Sequence, residues 1–187
     1  LPDQTKYVDP DATGSGSGDD WTNAYTSLNT WNTQAQRNLN GMDYCYCRAS
    51  SGTEDTTATN VNGWSGQATD EYVKIMGETQ TTTAWDTSKY RLSSTSTIPL
   101  TITEQYTWIE NLQIEDNNDT TNNAYTLYVN AGDVRINKSL VLCHSGSGFY
   151  KYGIYFVDGY DGNCVWNTIV DGRDSATNYA RGIRYTW

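Results

Sequence analysis

From Asp43 onward the chain alternates apolar and polar residues with a period of two, in short runs that resemble one another. In residues 43–48, Cys45 and Cys47 fall on one side of a strand, and Tyr44, Tyr46 and Arg48 on the other. Taking Val134 as reference, the matching positions are Cys45, Val73, Thr107 and Cys164, separated by steps of 28, 34, 27 and 30 residues. A self-similar unit at this spacing predicts a solenoid, in which each repeat buries its apolar side only by stacking on the next. One inward column is then Cys45, Val73, Thr107, Val134 and Cys164, and its neighbour is Cys47, Ile75, Ile109, Ile136 and Trp166. A second strand per repeat runs through Val129, Val157 and Tyr185, and a third through residues 112–114, 140–142 and 169–170. Asn111, Lys138 and Thr168, with Asn137 and Asn167 beside them, are assigned to the bends. The expectation is an all-β fold of about five coils with three strands per coil.

The first 40 residues follow different periods. Residues 5–8 form a short strand stopped by Asp9-Pro10, and the Gly/Ser-rich stretch after it reads as a flexible loop. In residues 20–39, Trp21, Ala24, Tyr25, Leu28, Trp31, Ala35 and Leu39 recur at three and four, predicting a helix capped by Asp20. Such a helix covers the first coil of a solenoid. The chain is read as a single domain, with 1–40 as strand, loop and capping helix and 41–187 as coils. Segments 50–70, 77–98, 115–123, 143–151 and 171–181 are read as connections on one flank, where binding residues collect.

Composition narrows the partners. A net charge of −10 disfavours nucleic acid and anionic membrane surfaces, which need clustered Lys and Arg. No apolar run is long enough for a membrane span. Abundant Thr, Tyr, Asn and Gly, with a first residue other than Met, suggest a mature secreted protein. Residues 79–83 and 93–97 are rich enough in Ser and Thr for O-glycosylation. Asn118-Asp119-Thr120 and Asn137-Lys138-Ser139 are N-glycosylation sequons, the second with a structural role. Of the four cysteines, Cys45, Cys47 and Cys164 lie in inward columns and are read as buried thiols rather than bridges; the pairing of Cys143 is left open.

Convergent chemistry is sparse. Asp43, Glu71, Gln105, Asp133 and Asn163 form a partly acidic column at the start of the first strand, with Lys74 and Arg135 nearby, but Gln105 and Asn163 interrupt what a calcium-dependent lyase would need. Asp158, Asp161, Asp171 and Asp174 offer carboxylate pairs of the kind a glycosidase uses, and they equally suit turns. His144 is the only histidine, so no multi-histidine metal site exists. Outward Tyr44, Tyr46, Tyr72, Tyr106 and Trp108 would form an aromatic ladder suited to sugar rings or a neighbouring protein. No catalytic residue, metal ligand or cofactor is assigned.

The stretches 7–14, 21–28 and 85–92 resemble secreted right-handed parallel β-helix proteins of the pectate-lyase-like superfold. The resemblance implies the fold, with an N-terminal capping α-helix, and leaves activity open, because that superfold hosts lyases, hydrolases, tailspikes and inert surface proteins. The final Arg184-Tyr185-Thr186-Trp187 brings no polar capping segment. The expectation is therefore a non-catalytic subunit of an extracellular head-to-tail filament, contacting its neighbour through Tyr7, Val8, Trp21, Tyr185 and Trp187. The alternative is a polysaccharide-binding or polysaccharide-degrading β-helix protein.

Overall fold

The computed structural model describes residues 3–78, 84–95, 97–117, 125–144, 151–157, 159–173 and 180–186. It is mostly β, with three all-parallel sheets and one short helix. Trp187, the sequon at 118–120, the threonines at 79–83, Ser96, Asp158 and Asp174 lie outside the described residues.

Sheet 1 holds β1 (Gln4–Val8), β2 (Asp43–Cys47), β4 (Val73–Met76), β7 (Thr107–Glu110), β10 (Arg135–Asn137) and β13 (Cys164–Trp166), side by side in that order. Sheet 2 holds β5 (Arg91–Ser94), β8 (Gln113–Asp116), β11 (Leu140–His144) and β14 (Ile169–Arg173). Sheet 3 holds β3 (Thr59–Val61), β6 (Leu100–Ile102), β9 (Tyr125–Val129), β12 (Lys151–Phe156) and β15 (Ala180–Tyr185). From β4 on, the chain visits sheets 1, 2 and 3 in fixed rotation, so each circuit lays one new strand on every sheet.

The alternation decides what lies inside. In sheet 1, Cys45, Ile75, Ile109, Ile136 and Val165 stand in register, and all but the half-buried Val165 are fully sealed. Sheet 2 adds Leu92, Ile114, Val141 and Val170. Sheet 3 adds Leu100, Leu127, Ile154 and Ile183, with Val61, Ile102, Val129, Phe156 and Tyr185 alongside. One hydrophobic cluster joins all three sheets. The columns work because β-branched and small apolar residues repeat the same shape from strand to strand.

Several registers differ from the expected ones. Cys45 pairs with Ile75 rather than Val73, which pairs with Asp43. Cys164 pairs with Arg135 and is exposed; Val165 takes the inward place, and Trp166 is half-buried beside Asn137. Phe156, not Val157, matches Val129 and Tyr185. The cause is in the bends. Tyr106, Asp133 and Gly162 before β7, β10 and β13, and Asn111, Lys138 and Asn167 after them, have left-handed backbone with φ between 48° and 80°. Each places the following strand's register, so the matching bend residue is Asn167 rather than Thr168. Two stretches read as connections also contain the short strands β3 and β5, whose polar composition hid Val61 and Leu92.

The helix is shorter than its pattern. Helix α1 spans Leu28–Gln34, and its N-cap is Ser27, whose hydroxyl accepts from the Thr30 amide at 3.0 Å, rather than Asp20. Asp20 instead closes a turn by accepting from the Asn23 amide at 2.8 Å. Tyr25 is held in extended backbone against β1, donating its amide to Tyr7 and accepting from Asp9. Gly18, at φ 71°, allows the Tyr25 ring to lie directly on the backbone, where any Cβ would collide. The three-and-four spacing nevertheless reported burial correctly: Ala24, Tyr25, Leu28, Trp31, Ala35 and Leu39 are all sealed. Asp55 reaches the Leu28 amide at 2.7 Å and accepts from the Tyr90 hydroxyl at 2.6 Å, tying the helix start to the sheets. Burial pushes the Asp55 carboxyl above its ordinary pKa despite those bonds.

Candidate functional site

The largest groove runs along one corner, where the chain passes from sheet 3 to sheet 1. Three successive turns build it: residues 103–105, 130–133 and 159–161. Backbone bonds between circuits, such as Asn130 N–H to Ile102 O at 2.8 Å and Asp133 N–H to Asp161 O at 2.9 Å, stack the turns. The groove encloses about 420 Å³. Its lining has three carboxylates, Glu104, Asp133 and Asp161, two amides, Gln105 and Asn130, and the ring of Tyr160, which is 46% exposed.

Two of these carboxylates already have structural duties. Glu104 accepts from the Trp64 amide at 2.8 Å and from the Gln67 side-chain amide, and its half-burial holds its pKa above the usual glutamate range. Asp133 accepts from Gln105 Nε2 at 3.0 Å. Asp161 is exposed at the rim. The groove thus presents acceptors, amide groups and one open ring face, the mixture that suits hydroxyl-rich ligands.

The acidic column read from the sequence does not assemble. Asp43 is buried, in register with Val73, and is held by Arg37 and by the Gln4 amide. Asn163 turns its oxygen to the Val134 amide at 2.8 Å and its nitrogen to Ala131 O at 3.0 Å. Among the described residues no group of three or more His, Cys, Asp or Glu is arranged to hold a metal ion. His144 pairs with Glu115 at 2.7 Å. Lys151 and Asp116, both sealed, pair at 3.2 Å. All four cysteines are free; Cys45, Cys47 and Cys143 are buried, and the Cys45 and Cys47 sulfurs are 3.7 Å apart.

The outer face of sheet 1 carries aromatics and cations interleaved. One row across the sheet reads Tyr44, Lys74, Trp108, Arg135, Cys164. The Lys74 ammonium lies 3.9 Å from the Trp108 ring centre, and the Arg135 guanidinium sits 4.6 Å above Tyr72 and 5.4 Å above Trp108. The expected ladder therefore splits. Tyr44 and Tyr46 stack at 6.1 Å and meet Tyr7, while Tyr72, Tyr106 and Trp108 form a separate edge-to-face group. Tyr72 is only 2% exposed and offers no outward ring.

Of the residues expected at a subunit contact, Val8 is sealed and Tyr7 packs on Trp21 at 4.6 Å, so β1 and its free edge are occupied by the chain's own residues 18–25. Tyr185 is 47% exposed and stacks on Phe156 at 4.4 Å.

Two features escaped sequence reading. Glu104, Asn130 and Tyr160 lie in bends whose chemistry looked like ordinary turns, although Gln105, Asp133 and Asp161 recur at the repeat spacing. On sheet 3, Tyr128 and Tyr155 are paired outward neighbours with rings 5.7 Å apart and nearly parallel, flanked by Tyr125 and by Tyr152 under Arg184. Their 27-residue separation was the available signal. No family model, curated protein or solved structure matches the chain.

Proposed function

We propose that the three sheets wind as a right-handed parallel β-helix of about five coils, and that this secreted protein binds polysaccharide without cleaving it. The fixed rotation through three parallel sheets supports the winding, since crossovers between parallel strands are right-handed in nearly all proteins. The observation that carries the function is the corner groove, which crosses three circuits and sets the open ring of Tyr160 beside carboxylate and amide groups. Sugar rings stack on aromatic faces while their hydroxyls bond to such acceptors. With a net charge of −10 and no Lys or Arg in its lining, the groove favours neutral over uronic polymers. Binding rather than cleavage follows from the duties of Glu104 and Asp133, whose oxygens are already engaged.

Affinity electrophoresis in gels containing neutral polysaccharides tests the reading. Tyr160→Ala is expected to weaken retardation about tenfold, and reducing ends should not accumulate. Equal retardation of the variant and the parent chain in every gel would sink it.

A second reading rests on a different observation. Ile169, Ile183 and Tyr185, at 36%, 46% and 47% exposure, occupy places that are sealed in the preceding circuit by Leu140, Ile154 and Phe156. A second copy stacking there would cover the bared strands and extend the array head to tail. Sedimentation over a range of protein concentrations decides it: growth in size supports stacking, and one unchanging monomer species rejects it.

A further inference from the structure

A smaller pocket, of about 260 Å³, opens between Trp21 and the outer face of sheet 1. Its walls are the rings of Trp21 and Tyr46 and the Met76 thioether, and Gly77, Glu78 and Asn111 complete it. Gly77 makes the close approach possible, because a Cβ there would strike the Asn111 carbonyl. Asn111 is turned by its left-handed bend, with φ 58°.

We propose that this pocket binds a quaternary ammonium head group. Three observations point that way. One oxygen of Glu78 and the side-chain oxygen of Asn111 are shut from water and have no hydrogen-bond partner. The only ion pair of Glu78 among the described residues is to Lys89 at 3.7 Å, through its other oxygen, with both side chains about one-third exposed. Such a long surface pair neutralises little. The site therefore carries uncompensated negative potential behind aromatic walls, and Trp21 already seats one cation, the Arg48 guanidinium, 4.3 Å from its ring centre.

The same burial selects among cations. Because the two unpartnered oxygens lie beneath other protein atoms, an arriving N–H cannot reach them as the side chains stand. A primary ammonium would leave its donors unmet against the aromatic walls, at a cost of desolvation. A methylated ammonium has no N–H to satisfy, so the field and the ring faces hold it without that cost. This site is distinct from the corner groove, and its occupancy does not depend on glycan binding.

Calorimetric titration of the whole chain with choline, at constant ionic strength, tests the assignment. Saturable binding is expected. The neutral carbon isostere dimethylbutanol should bind at least about tenfold more weakly, and Glu78→Gln should lose about tenfold in choline affinity. Trp21→Leu should lower affinity further; if that variant fails to fold, the isostere and Glu78→Gln still decide. Parallel arms with phosphocholine and with phosphatidylcholine vesicles assign the source of the head group. Absence of saturable choline binding, an isostere as tight as choline, or an unchanged Glu78→Gln would each overturn the proposal.

Discussion

The circuit that begins at β1 and the circuit that ends at β15 use the same inward columns with opposite results. At the first, α1 lies on β3, Asn32 donates to Asn60 O at 2.9 Å, and Trp31 packs on Trp64 at 5.3 Å, leaving Trp31 only 1% exposed. At the last, Ile183 and Tyr185 fill the same columns with nearly half their surface open. Residue type is alike at both; the layer above differs. Burial in this architecture is conferred by the neighbouring circuit, so the stabilisation a given apolar residue supplies depends on its place in the stack.

That contrast can be broken most severely at the sealed end. Trp31→Ala removes a fully buried ring and is expected to cost about 3–5 kcal/mol in denaturant unfolding. Lys151→Met should cost about 3 kcal/mol by withdrawing the ammonium from buried Asp116, and adding Asp116→Leu should restore much of it. The paired test sharpens the comparison directly: Ile154→Ala is expected to cost about 2–5 kcal/mol, and Ile183→Ala, one circuit on in the same column, under about 1 kcal/mol. Equal losses at the two positions would show that the last circuit is covered in solution.

The smallest effect concerns pH. Burial raises the Asp55 carboxyl in the folded state, so the folded protein binds that proton more readily than the unfolded chain. Its contribution is fully present below the unfolded value, about 3.9, and is lost as pH rises through the folded value. Asp55→Asn stays uncharged, so its thermal midpoint should fall less than the parent's over that rise.

The inner face was legible because alternation with β-branched residues leaves few other readings, as at residues 73–76 and 134–137. Registers were not, because a single left-handed residue such as Asn167 displaces the next pairing by one place, and positive φ at Lys138 or Tyr106 has no compositional mark. The helix start was misplaced for a related reason: Trp21 and Tyr25 are apolar at helical spacing, yet Tyr25 satisfies its backbone on β1. The corner groove was half-visible, through Gln105, Asp133 and Asp161, whereas Tyr160 gains meaning only when three turns stack.

The bared last circuit has a consequence in time as well as in energy. Opening that starts at β13, β14 and β15 breaks pairing on one side only, whereas opening at β7 or β8 breaks it on both. Amide hydrogens should therefore exchange in a graded sequence, fastest in β15 and slowest in the middle strands, as in a zipper undone from one end. The core would then behave as a clock of position along the stack, each circuit reporting by its exchange rate how many neighbours still hold it.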